Sequence, residues 1–168
     1  MKALHLGCGA NPERKIKPPG RLDFQGEHVT LDMNKDHAPD VVHNLNKVPL
    51  PFDASEFDEI HAYEVLEHCG KQGDARFFFK QFEDFHRILK PGGFLCASTP
   101  RPDSPWAWAD PSHTRVIAPE TLIFLDQDNY GQVGDTPMSD FRSIYKADFA
   151  HVFTQKTTHS AFWILRAK

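Results

Sequence analysis

Gly7-Cys8-Gly9 directly follows a short apolar run at residues 3–6, and Asp32 closes a second run, His28-Val29-Thr30-Leu31. Glycines in a tight turn let a ligand approach the backbone where a Cβ would block it. An acid at the tip of the next strand can accept both hydroxyls of a ribose. Together these residues point to a cofactor that carries adenosine. A dinucleotide would further need a third glycine and a helix whose N-terminus meets the pyrophosphate. Here Pro12 stands where that glycine belongs, and Pro18, Pro19, Gly20 and Gly26 leave room for a turn or two of helix at most over residues 13–27. The pattern therefore favours a phosphate-free ligand over a nicotinamide cofactor.

Other reactive residue types are scattered. Cys8, Cys69 and Cys96 form no C-x-x-C pair, and the ten histidines form no H-E-x-x-H pair. Reduced, mostly buried thiols in a cytoplasmic protein are expected, and no metal centre. A net charge of -4 gives no general pull on nucleic acid, and no apolar run reaches membrane-spanning length. Met1-Lys2-Ala3 leads straight into the first apolar run. No leader or anchor is expected from it.

The elements that must position these residues follow from periodicity. Strands are expected at residues 3–6, 28–32, 40–43, 57–63 and 94–98, with a proline-fixed loop at Pro49-Leu50-Pro51-Phe52. A helix capped near Gly73-Asp74 presents Phe78, Phe82, Phe85 and Leu89 on one face and stops at Pro91-Gly92-Gly93. Residues 100–140 are rich in proline and acids, with a short helix starting at Pro119-Glu120. Residues 143–154 and 160–166 alternate as a terminal hairpin. At 168 residues the chain is expected to form one α/β domain, mostly parallel, with its crevice at the carboxyl ends of the first strands.

At this point an ordered set of blocks resembles a known family. The set comprises Leu4-His5-Leu6-Gly7-Cys8-Gly9, Leu31-Asp32, Leu50-Pro51-Phe52 with Phe57-Asp58, Glu64-Val65-Leu66-Glu67-His68, and Arg87-Ile88-Leu89-Lys90-Pro91-Gly92-Gly93-Phe94-Leu95. Asp110-Pro111-Ser112-His113-Thr114-Arg115 followed by Pro119-Glu120 extends it. The chain resembles class I S-adenosylmethionine-dependent methyltransferases, in particular the short ubiquinone/menaquinone-methyltransferase-like group. The resemblance implies a Rossmann-like sheet, mostly parallel, with a C-terminal antiparallel hairpin and reduced N-terminal helices. It also implies S-adenosyl-L-methionine as cofactor.

Carried over by position, Gly7, Cys8 and Gly9 would bear the methionyl end, Asp32 the ribose and Met33 the adenine face. Asn44 and Leu45 would meet the adenine edge, although the family often has an aspartate where Asn44 stands. Tyr63 and Glu64 would face the transferred methyl. His113 is the candidate general base, and Trp106, Trp108 and Tyr130 are candidates to line the acceptor site. The acceptor is expected to be a small molecule, neither nucleic acid nor membrane. Closure would come from residues 100–140 or from a homo-oligomeric partner. The alternative is a protein that binds the cofactor without catalysis, or a subunit of a larger modifying system.

Overall fold

A computed structural model describes residues 1–10 and 12–168; Asn11, in the glycine turn, lies outside them. The strands are β1 (Lys2–Leu6), β2 (Glu27–Asp32), β3 (Val41–Val42), β4 (Phe57–Tyr63), β5 (Leu89–Pro100), β6 (Phe149–Lys156) and β7 (Ser160–Ala167). They form one sheet in the order β3-β2-β1-β4-β5-β7-β6, mostly parallel with an antiparallel C-terminal hairpin as the resemblance implied. β1 lies parallel between β2 and β4, with Leu6 opposite both Leu31 and Ala62. β7 is antiparallel to both neighbours and sets Trp163 opposite Ala97. The β1–β2–β4 centre therefore brings Gly7, Asp32 and Glu64 to one end of the sheet.

Alternation along the strands divides the core. Leu4, Leu6, Ile60, Ala62, Leu95, Ala97, Trp163 and Leu165 belong to the larger core, which α1 (Ala75–Ile88) joins through Phe79, Phe82, Phe85 and Ile88. Asp74 caps that helix by accepting the Phe77 N–H at 3.0 Å. On the opposite face, no helix connects β1 to β2 among the described residues. The loop between them lies there instead, and Ile16 packs on Phe94, Cys96 and Ile164. Arg14 reaches Glu59 with Nε at 3.0 Å and a terminal nitrogen at 3.1 Å, and His61 Nε2 meets the same carboxylate at 2.9 Å. The reduced helical layer is thus replaced by an ion pair and a histidine on a fully buried glutamate.

Three features differ from expectation. The helix ends at Ile88, before Pro91-Gly92-Gly93, and Leu89 is already extended at φ -75° and ψ 142°. Proline disfavours the helical conformation in the residue before it, here Lys90, so the chain must straighten early. The register then passes from Phe57 opposite Leu89 to Glu59 opposite Phe94, and the Pro-Gly-Gly stretch is taken up as a bulge. Second, the buried helix face is turned toward Phe79 and Ile88, leaving Phe78 half-buried. Third, β6 starts at Phe149 and not at residue 143. The Ile144 and Tyr145 N–H groups both donate to the Phe141 carbonyl, and the Tyr145 hydroxyl donates to the Leu125 carbonyl at 3.0 Å. The apolar residues that imitate a strand there anchor a turn against α1, where Tyr145 stands 4.9 Å from Phe79. No helix among the described residues is long and apolar enough to cross a membrane.

Candidate functional site

Gly7 begins the turn after β1 at φ +56°, and its N–H donates to the Leu31 carbonyl at 2.8 Å. A Cβ there would stand 2.2 Å from Val65 Cγ2, so the turn and the loop after β4 touch only because residue 7 has no side chain. Gly9 also has positive φ, +54°, but a Cβ would meet nothing within 4 Å. The first glycine is needed for packing, and the second leaves open backbone. Asp32 closes β2 beneath them. Its Oδ2 accepts the Gly9 N–H at 2.9 Å, and its Oδ1 accepts the Asn34 N–H at 2.8 Å. Burial raises its pKa, but the N–H groups of Asn34 and Gly9 and nearby His37 hold it below the usual value on balance. Asp32 is therefore an anion at neutral pH.

These groups line a cavity of about 290 Å³ with Gly7, Gly9, Asp32, Met33, Asn44 and Leu45 on its wall. Six of the nine residues expected to hold the cofactor therefore meet in one place. Met33 is 69% exposed, free to lie against a flat ligand. Asn44 Oδ1 accepts the Asn46 N–H at 2.9 Å, which shapes the loop after β3. Cys8 and Tyr63 lie on the other side of Gly7, in a polar cavity of about 100 Å³ with Glu13 and Lys15. The Tyr63 hydroxyl stands 2.8 Å from His61 Nδ1, and burial pushes it well above the ordinary tyrosine range. Burial likewise raises the Cys8 thiol. Glu64 lines neither cavity; at φ +50° its Oε1 accepts from Ser98 Oγ at 2.7 Å.

Val65, His68 and Cys69 complete the larger cavity wall. Here the structure adds residues that sequence reasoning passed over. A short helical turn, Leu66–His68, sends both Leu66 and Glu67 inward. Glu67 is 1% exposed, and neither carboxylate oxygen has a hydrogen-bond partner in another residue. Burial pushes its pKa up to about 8, opposed by its own backbone N–H. His113 stands with Nε2 4.0 Å from Glu67 Oε1 and 3.8 Å from Asp110 Oδ2. Its ring meets His68 edge-on at 4.6 Å. His68 Nδ1 lies 3.1 Å from Ser112 Oγ. A period-based reading cannot find Glu67, because the turn that buries it has neither helix nor strand spacing.

A third cavity, about 350 Å³, opens between the start of α1 and the segment after β5, lined by Phe78, Phe79, Arg115, Thr121, Phe124 and Phe141 among others. Trp106, Trp108 and Tyr130 do not line this cavity. Trp106 and Trp108 are 58% and 69% exposed, and Tyr130 is buried with its hydroxyl donating to the Phe124 carbonyl. The wall is built from phenylalanines, two of them on the helix.

Comparison with known proteins bears on the fold and the family. A S-adenosylmethionine-dependent methyltransferase from Archaeoglobus fulgidus superposes with a TM-score of 0.58 at 16% identity, over 98% of this chain and 85% of that one. One from Mesorhizobium loti gives 0.59 at 14% identity, over 98% and 90%. The N-methyltransferase NodS from Bradyrhizobium japonicum, in complex with S-adenosyl-L-homocysteine, gives 0.56 at 13% identity, over 99% and 77%. At these identities the likeness establishes the fold. No curated protein sequence matches significantly. The family model described as a methyltransferase domain matches residues 4–97. That is more than half of the 168 residues, and the chain belongs to the methyltransferase domain family.

Proposed function

We propose that the chain transfers a methyl group from S-adenosyl-L-methionine to a small-molecule acceptor, with residues 1–168 working as one domain. The observation that carries this reading is the Asp32 carboxylate at the wall of a cavity of about 290 Å³, beside open backbone at Gly9. Each carboxylate oxygen accepts one backbone N–H and retains a further lone pair, which suits the two hydroxyls of a ribose. Met33 and Leu45 offer apolar surface to an adenine. Among the described residues, the β1–β2 connection offers this cavity no helix N-terminus, which suits a ligand that carries no phosphate.

When bound, S-adenosyl-L-methionine supplies an electrophilic methyl on a sulfonium centre. The chain's own part is chiefly alignment: Gly7, Gly9 and Asp32 fix the donor, and the phenylalanine-lined cavity holds the acceptor. Thr121, Phe124 and Ser139 on that wall support a covering role for residues 100–140. A cavity of that size and lining suits a compact, largely apolar molecule. Proton removal, where the acceptor requires it, falls to the group built around His113. Calorimetry provides the test. S-adenosyl-L-methionine and S-adenosyl-L-homocysteine should bind with micromolar affinity and NAD should not; tight NAD binding overturns the reading. Cofactor binding without turnover on a broad acceptor panel would instead support a non-catalytic binder or a subunit.

A further inference from the structure

We propose that Glu67, His68 and His113 form a binding site for a first-row divalent transition metal, zinc or a close relative. One ligand atom from each residue lies within 4.8 Å of the other two. Imidazole nitrogen with carboxylate oxygen is the donor set that such ions take. Around an ion with bonds of about 2.0–2.1 Å, tetrahedral ligand atoms sit roughly 3.3 Å apart, so the three donors need close by no more than about 1.5 Å.

Two features separate this cluster from a chance meeting of polar side chains. Glu67 is 1% exposed, yet both its oxygens lack a hydrogen-bond partner, and the buried Nδ1 of His113 lacks one too. Buried polar groups are ordinarily satisfied, and a carboxylate left bare in the interior is costly. His113 Nε2 and Glu67 Oε1 face each other at 4.0 Å, too far for a hydrogen bond and suited to an ion between them. The supporting shell is also present. Ser112, through Oγ at 3.1 Å and its carbonyl at 3.3 Å, engages His68 Nδ1 and fixes that ring.

The other histidine cluster makes an instructive contrast. His5 Nε2 already meets His28 Nδ1 at 2.9 Å, and His61 is paired through both nitrogens with Glu59 and Tyr63. His61 thus has no free nitrogen to give, and among the described residues these rings form no such group.

Three protein ligands leave a fourth position for water or an exogenous oxygen, the arrangement of catalytic sites. Its placement matters. His68 lines the cavity of Gly9 and Asp32, while Arg115, next but one to His113, lines the phenylalanine cavity. An ion here would acidify a coordinated water or hydroxyl, replacing free His113 as the source of a base. The site itself holds whether or not the chain transfers methyl groups.

Cobalt(II) is the probe. Added alone to the metal-stripped full chain, it should bind one equivalent and give visible ligand-field absorption of low symmetry. Glu67→Gln, which keeps the buried shape, and His68→Ala, at a half-exposed position, should each weaken binding on the order of 100-fold or more while circular dichroism stays unchanged. Ser112→Ala should weaken it roughly 10- to 100-fold. Zinc should displace the cobalt and abolish the band. Absence of a stoichiometric band in the parent protein, or a band undiminished in both Glu67→Gln and His68→Ala, overturns the site.

Discussion

Asp32 Oδ2 accepts the backbone N–H of Gly9 at 2.9 Å, across 23 residues of chain. One carboxylate thus shapes the glycine turn and lines the cavity beside it. Under the proposed ribose contact, binding and turn geometry cannot be varied independently at this position.

Asp32→Ala should therefore weaken S-adenosyl-L-methionine by about 3 kcal/mol, roughly 100-fold, from the loss of charge-assisted hydrogen bonds to the ribose. It should also lower the melting temperature, since the Gly9 and Asn34 N–H groups lose their acceptor. Asp32→Asn keeps one acceptor oxygen and should recover part of the melting temperature with little of the affinity. Calorimetry and thermal melting on both variants check this. Unchanged affinity in Asp32→Ala would remove the ribose assignment.

The two glycines make separable predictions. Gly7→Ala must place a methyl 2.2 Å from Val65 Cγ2 in a left-handed conformation, and should cost about 2–4 kcal/mol of stability. The double variant with Val65→Ala should return part of that, because the clash goes and the strain stays. Gly9→Ala has open space around it and should lose only about 1–2 kcal/mol, from φ alone. Its ligand affinity should nevertheless fall sharply, since the added methyl occupies the cavity. Equal melting temperatures for the two single variants would contradict this division.

The glycine turn, Asp32, β4 and the capped helix were legible in the sequence because each rests on local chemistry: a forced φ, a strand tip, a period, a cap. The block order from Leu4 to Leu95 carried the family resemblance, and the match over residues 4–97 agrees with it. Other features depend on distant partners and have no local mark. Glu67 reads as an ordinary exposed loop acid until the Leu66–His68 turn buries it. Trp106 and Trp108 are more than half exposed, and the aromatic wall of the cavity beside α1 is built from phenylalanines that include Phe124 and Phe141. Residues 143–148 alternate like a strand, yet Tyr145 is more strongly held by Leu125 and Phe79 than by any sheet edge.

Asp84 joins the helix to the proline-rich loop. Its Oδ2 accepts the buried Leu50 N–H at 2.6 Å, and its Oδ1 accepts from Arg87 Nε at 2.7 Å. Arg87 in turn donates to the carbonyls of Phe52 and Leu50. Asp84→Ala leaves a buried N–H and a half-covered guanidinium without their carboxylate, and should destabilise the fold by about 2–4 kcal/mol. Denaturant unfolding measures it. A loss below about 0.5 kcal/mol, the usual range for an unremarkable surface change, would show that the loop holds without this clamp.

The buried histidines opposite α1 set the response to acid. Burial, reinforced by His61, His28 and Arg14 and opposed by Glu59, lowers His5 from the usual 6.5 to about 4. The hydrogen bond from His5 Nε2 to His28 Nδ1 also needs one of those facing nitrogens to lack a proton. The unfolded chain takes up a proton at His5 near pH 6.5 and the folded chain does not, so stability is full above that value and falls as pH drops toward 4. At 1.4 kcal/mol per pH unit, the loss from His5 reaches about 2 kcal/mol at pH 5. For a chain of this size that is about 4–8 °C in melting temperature between pH 7.5 and pH 5. His61 is lowered by burial as well and adds in the same direction. His5→Gln should flatten the profile by removing its own share and leaving that of His61. A variant with an unaltered slope between pH 6.5 and 4 would assign the acid sensitivity to other groups.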